Sequence, residues 1–203
     1  GAFAYLSNNT ANGSVDLVIT NLIVPDAFLT WDGTVSGDWD AETGNWKNNV
    51  QGGLVYADGS DVVFNDSAAG PTVVNLTDTF TPSSVTVSND TDAYTFIGSG
   101  SLSGAMSLAK RGTGALMLAN SGSNDFTGDV SISGGTFWVG NGTTNGNLPV
   151  ANNILDNAAL VFNRSDSVAV PNVVSGSGRL TNSGTGTLTL AGANTFSGGL
   201  AVN

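Results

Sequence analysis

The sequence predicts an all-β fold built as a β-solenoid of short stacked coils, with a β-sandwich as the alternative. Three observations predict it. Charged residues are only 10% of the 203, against about a quarter in ordinary domains, and 28 glycines with abundant Ser, Thr and Asn take their place. Such a chain makes strands with Thr and Ser facing outward and corners of Gly and Asn at positive φ. Apolar residues alternate at period two over short segments and do not persist at the three-four spacing of a helix face. Lastly, one phrase occurs twice. Gly184-Thr185-Gly186-Thr187-Leu188-Thr189-Leu190-Ala191-Gly192-Ala193-Asn194-Thr195-Phe196-Ser197-Gly198-Gly199 is echoed by the stretch from Gly112 to Gly128. Leu118 precedes Leu190 by 72 positions (190 − 118) and Phe126 precedes Phe196 by 70 (196 − 126), which places a two-residue insertion in the turn from Asn120 to Ser123. Stacked coils explain a recurring strand-turn-strand phrase, whereas a sandwich does not. With roughly 20 to 45 residues per coil, the spacing predicts about three short coils per sequence repeat.

In chain order, residues 1–29 are expected to end a preceding unit and connect it to the solenoid. Phe3, Tyr5 and Leu6 precede the turn-rich Ser7 to Gly13, and Val15, Leu17 and Ile19 then share one parity, which reads as a hairpin or a coil edge. Asn21 to Leu29 is an apolar connector carrying Pro25. The solenoid unit is expected over 30–203. It opens with a Trp-rich segment, 30–50, in which Trp31, Trp39 and Trp46 fall within sixteen positions. Strands are expected at 54–56, 61–64, 72–76, 85–87 and 94–97, with corners at Asp58-Gly59, Asn65-Asp66-Ser67 and Asn89-Asp90. The first repeat copy (112–133) follows, then a strand at 136–139, a Gly/Asn-rich loop at 141–153, strands at 159–162, 168–170 and 179–181, and the second copy (184–203). Segment 152–162 has a short helix as its alternative, but Leu160 and Phe162 alternate as in a strand. Inside each copy the leucines point in. Phe126, Phe137, Phe162 and Phe196 are expected to stack in the core.

The hydrophobic fraction of 40% argues for a packed core and against disorder. A net charge of −11, with Lys47, Lys110, Arg111, Arg164 and Arg179 the only cations, repels phosphate backbones and anionic headgroups, so no nucleic-acid partner is expected. The longest apolar run, Leu17 to Val24, is broken by Thr20 and Asn21 and is too short to cross a bilayer. No charged region precedes an apolar segment at Gly1, so no signal peptide is expected within this stretch.

The two copies resemble the autotransporter-associated β-strand repeat of bacterial passenger domains. The family phrase is a Gly-Thr-Gly-Thr-Leu-Thr-Leu core, then Gly-x-Asn-Thr-aromatic-Ser-Gly-Gly, a short strand and a Gly-Gly-Thr-Leu step. Residues 184–199 follow it closely, 112–128 follow it with substitutions, and Gly134-Gly135-Thr136-Phe137 is similar to the closing step. The segment Trp31-Asp32-Gly33, Gly37-Asp38-Trp39-Asp40, Asn45-Trp46 is similar to the opening of one such unit in very large bacterial surface proteins. The resemblance implies a right-handed parallel β-helix, an extracellular position on the bacterial cell surface, and a structural or adhesive role without enzymatic activity. One span of a longer array is expected to associate with itself head to tail through incomplete end coils. Phe3, Tyr5, Val15, Leu17 and Ile19 would serve one end, and Leu188, Leu190, Phe196, Leu200 and Val202 the other.

Candidate sites are few. The absence of His and Cys excludes the common triads and dyads and most transition-metal sites, leaving carboxylates. Asp125 with Asp129 and Asp90 with Asp92 are the nearest approach to a glycosidase pair, but both lie in turns where Asp bonds local backbone, so no catalytic residue is assigned. Asp38, Asp40 and Glu42 alternate and form the candidate calcium ligands, calcium being the one ion considered and no other cofactor expected. Trp31, Trp39 and Trp46 have two readings: capping the first coil, which is favoured, or stacking on sugar rings of a surface glycan.

Overall fold

A computed structural model describes residues 3–20, 28–150 and 152–203, and every regular element in it is a strand. First comes an antiparallel hairpin. Phe3–Asn9 and Ser14–Thr20 pair from Phe3↔Thr20 to Asn9↔Ser14, and Gly13 closes the turn at φ 72°. The connector 21–27 lies outside the described residues.

From Phe28 the chain winds into a solenoid of about six turns with two main faces, each a sheet of eight strands. On the first face Val73–Leu76, Tyr94–Ile97, Ala115–Leu118, Thr136–Val139, Ala159–Phe162, Arg179–Asn182 and Leu200–Val202 succeed one another in parallel. On the second the order is Phe28–Trp31, Asp61–Asn65, Ser84–Ser88, Ser107–Arg111, Val130–Ile132, Ile154–Asp156 and Val174–Ser175. A third side carries two short pairs, Thr79–Phe80 with Ser101–Leu102 and Val168–Val170 with Leu188–Leu190. From Val73–Leu76 onward, neighbours on the first face are 20 to 23 residues apart, as in Phe137↔Leu160 and Leu160↔Leu180. The solenoid class is therefore the observed one.

The core consists of rows that run from coil to coil. Tyr94, Leu116, Phe137, Leu160 and Leu180 are paired in register and completely buried. So are Val62, Val85, Leu108, Val130, Ile154 and Val174 on the second face. Each residue meets its counterpart about 4.8 Å away, so every coil buries the apolar side of its neighbours and the backbone pairs in both directions. The outward positions alternating with these rows mix polar residues such as Thr86 and Ser131 with apolar ones such as Ala109 and Leu155.

One inward row departs from this chemistry. Phe64, Val87, Lys110, Ile132 and Asp156 stack in register, and both charged members are fully buried. The Lys110 ammonium donates to the carbonyls of Arg111, Gly112 and Gly134. Burial pulls it below the ordinary lysine range, with Asp90 and Asp66 acting the other way. Asp156 accepts from the Ala158 N–H at 3.0 Å through Oδ1, while its Oδ2 is buried without a partner. Burial pushes this carboxyl above the ordinary range. A carboxyl that holds its proton more tightly when folded stabilises the fold at low pH, and that contribution is lost as pH rises through the raised folded value. Replacing Asp156 by Asn should then raise the thermal midpoint at pH 7 and leave it nearly unchanged at pH 3, as read by circular dichroism.

The two sequence copies do not lie on one face. Leu118 stacks through Val139 and Phe162 onto Asn182, three coils in 64 residues (182 − 118). The 72-residue spacing carries Leu190 eight residues past that column (190 − 182), onto the third side over Val170. The spacing is thus about three coils, as expected, with roughly a third of a turn beyond them, given three sides per coil. Every side asks for the same pattern, inward leucines at alternate positions ended by a glycine corner, so the phrase is not tied to one side. Other differences are local. Residues 54–56 form no strand beyond an antiparallel bridge from Leu54 to Trp46, and 152–162 contains the strands Ile154–Asp156 and Ala159–Phe162 in place of a helix.

Candidate functional site

The N-terminal end of the solenoid is closed by the Trp-rich segment. Trp46–Lys47 runs antiparallel to Phe28–Trp31 and is the last strand of the second sheet, so a further parallel coil cannot add there in register. Asp38–Trp39 ends the first sheet beside Val73–Leu76. Between these strands Asn45, fully buried, ties the loop: its Oδ1 accepts from the N–H groups of Val35 and Ser36 at 3.1 and 2.9 Å, and its Nδ2 donates to the Asp38 carbonyl at 2.8 Å. A Lys47–Asp32 ion pair of 2.6 Å fastens the rim.

Trp31, Trp39 and Trp46 are 0% exposed. Trp39 stacks on Phe80 at 5.3 Å and 10°, and meets Trp46 and Tyr56 edge-on at 5.1 and 5.2 Å. Trp31 meets Trp46 edge-on at 5.1 Å and donates its indole N–H to the Pro71 carbonyl at 2.9 Å. With no ring face open to solvent, these three side chains fill the end of the core and offer no stacking surface to a sugar. The chain's other tryptophan, Trp138, faces outward. Sequence reasoning passes over it, although its parity, opposite to buried Phe137 and Val139, marks it.

The candidate calcium ligands do not converge. Asp40 accepts from the N–H groups of Glu42 and Thr43 and from the Thr43 hydroxyl, and these bonds hold its carboxyl below the ordinary range against the opposing effect of burial. Asp38 accepts from the Asn75 amide at 2.7 Å across to the next coil. Among the described residues no group of three or more carboxylates is gathered as a metal would need. The paired turn aspartates are likewise engaged with backbone: Asp90 accepts from the Thr113 N–H and Asp129 from the Asn153 N–H, one coil on in each case. Asp66 accepts from the N–H groups of Asp90, Thr91 and Asp92, which lowers its own proton affinity.

Asparagine does the same work inside. Asn124, 2% exposed, accepts from the Leu102 N–H at 2.9 Å, exchanges two bonds with Asn120, and donates to the Asn147 carbonyl at 3.0 Å. One amide thus joins three successive coils. In the second copy Asn194 takes the matching place and accepts from the Val174 N–H at 2.8 Å. Replacing Asn124 by Leu strands a buried N–H and leaves neighbouring amides short of partners, which should cost about 3 kcal/mol in urea unfolding.

At the other end the last coil is uncovered. Leu188, Leu190 and Phe196 are partly buried against the core, and Leu200 and Val202 are 57% and 74% exposed. Of the residues expected at the opposite end, Phe3, Tyr5, Leu17 and Ile19 lie on the hairpin strands with their side chains outside the described part, and Val15 is exposed.

Residues 108–139 and 180–203 match the Passenger-associated-transport-repeat family. Both segments are thus similar to passenger-associated transport repeats, and together they make up just over a quarter of the chain. The first matched segment runs from within Ser107–Arg111 to the end of Thr136–Val139, and so includes the buried Lys110 and the Asn124 junction; the second includes Asn194 and the last coil. Over 75 residues the chain is 39% identical to the Adhesin BmaC autotransporter of Brucella suis biovar 1 (strain 1330), a match covering 37% of this chain and 2% of that protein. No solved structure matches the chain significantly.

Proposed function

We propose that this chain is an extracellular span of a bacterial surface passenger with a mechanical and adhesive role and no enzymatic one. The observation that supports it best is the unbroken sequence of parallel ladders and core rows that follows the tryptophan-closed end. Such an array is stiff because each coil is held by its neighbours, and its stability grows with the number of coils. The passenger repeats and the adhesin relative agree with a surface position.

Self-association belongs to the same proposal. The inward residues Leu190 and Leu200 lack a coil above them, so either further coils of a longer chain or a second copy would cover them. With the N-terminal end closed by an antiparallel strand, two copies meet most readily through their C-terminal coils; head-to-tail stacking needs that strand to give way. Solution mass and electron microscopy at micromolar concentration test this. Discrete rods of twice the monomer length, lost in the variant Leu190→Lys, are expected. Long filaments would restore the head-to-tail arrangement, and a 20.4 kDa monomer at all concentrations would remove self-association altogether.

A further inference from the structure

The outer face of the first sheet carries a shallow cleft of about 420 Å3 around Trp138 and Arg179. Register defines its shape. Thr136, Ala159 and Arg179 are paired across three adjacent strands, and Trp138, Val161 and Thr181 form the next outward row. All six alternate with the buried Phe137, Leu160 and Leu180 and therefore point away from the core. The middle strand contributes only Ala and Val, so the larger side chains on either flank stand above a recessed floor. With strands about 4.8 Å apart, the cleft spans about 10 Å from flank to flank, the breadth of one to two sugar rings.

Its chemistry is unlike that of the surrounding surface. Lys47 is paired with Asp32, Arg164 with Asp166, and Lys110 is buried; Arg111 and Arg179 are exposed and among the described residues have no ion-pair partner, and of these two Arg179 is the one that lines the cleft. Ser183 and Asn203 complete the lining, and no Asp or Glu side chain is part of it, although the chain as a whole carries a net charge of −11. Distant acidic groups are screened beyond about 8 Å at physiological salt, so the local cation sets the potential there. An indole provides an amphipathic stacking surface, the Thr136 and Thr181 hydroxyls both donate and accept, and a guanidinium fork matches a carboxylate with two parallel bonds.

We propose that this cleft binds an acidic saccharide, with a sugar ring against Trp138 and a uronic or sialic carboxylate on Arg179. This deepens the adhesive reading, and rests on it only for where such a ligand is met. Binding itself is a property of the isolated chain.

Calorimetric titration of the 203-residue chain with 3′-sialyllactose and with trigalacturonate, against lactose as the neutral probe, tests the proposal. Both acidic probes should bind at least about tenfold more tightly than lactose, the ratio that one charge-assisted pair supplies, and the preference should shrink as sodium chloride is raised. Trp138→Ala should weaken all binding, and Arg179→Gln should bring the acidic probes down to the lactose level. Ala159→Glu, which sets a carboxylate on the floor without entering the core, should abolish acidic binding and keeps the test open if Trp138→Ala does not fold. Equal affinity for lactose and the acidic probes, no acidic binding at millimolar concentration, or unchanged binding in Arg179→Gln and Ala159→Glu would overturn the proposal. In any of those cases rods of double length in electron microscopy would leave the surface-span reading standing.

Discussion

Replacing Trp39 by Ala should remove about 3–5 kcal/mol of folding stability, the range for emptying a fully buried aromatic site. The thermal midpoint should then fall by roughly 10 °C in a chain of this length. Trp39 is the hub of the closed end: it is in ring contact with Trp46, Tyr56, Phe64, Phe80 and Phe96, which come from five separate stretches of the first coils. Collapse into the vacated volume would have to move all of them, and two, Phe64 and Phe96, are themselves completely buried in the stacked rows. Because coils contact mainly their neighbours, the damage should be graded along the axis. Hydrogen exchange checks this directly: protection should be lost first over 28–64 and last near the middle of the solenoid. A variant with an unchanged midpoint and lost saccharide binding would instead return the cap tryptophans to the ligand-binding role that their burial speaks against.

The fold was legible in the sequence because its signal is local and repeated. Alternation at Tyr94–Ile97, Thr136–Val139, Ala159–Phe162 and Val168–Val170 places these strands at their observed bounds. Two-residue strands such as Thr79–Phe80, Ser101–Leu102 and Val174–Ser175 hold too few residues to alternate, and only pairing with the next coil defines them. Ser107–Arg111 was hidden for another reason: its inward residue is Lys110, whose charge breaks the apolar parity and is accommodated by three carbonyls that no sequence pattern displays. The site was harder to read than the fold. Three tryptophans close together in sequence drew attention to the opening segment, but clustering reports shared burial as readily as shared exposure. Trp138 stands alone in sequence, and the partners that make its cleft, Ala159, Val161 and Arg179, lie one and two coils away. Side chains that gather across coils leave no local pattern, whereas the strand that carries them does.

A pair of glycine substitutions separates what the coil corners need from what the stacking needs, and carries the other large effect. Gly112 and Gly53 have nearly the same backbone, φ 72° and 70°. An alanine at either meets the left-handed penalty, about 1–2 kcal/mol. Their surroundings differ. A Cβ on Gly53 has nothing within 4 Å, whereas one on Gly112 would sit 2.2 Å from the Asn89 carbonyl oxygen in the coil below. That oxygen cannot retreat freely, since it accepts the Gly114 N–H at 2.8 Å and the Asn89 side chain is fixed to the Ala115 carbonyl at the same distance. Gly112→Ala should therefore add about 1–3 kcal/mol of overpacking to the conformational term, for a total of about 2–5 kcal/mol, while Gly53→Ala stays at the conformational term alone. Urea unfolding of both variants measures the difference. The same close approach recurs at Gly184 and Gly186, where a Cβ would lie 2.1 and 1.8 Å from the carbonyls of Arg164 and Asp166. The paired glycines that open each copy of the repeated phrase are thus the points at which one coil rides against the backbone of the last. If the two alanine variants prove equally stable, turn geometry alone accounts for the glycines, and the repeat phrase records corners and not stacking.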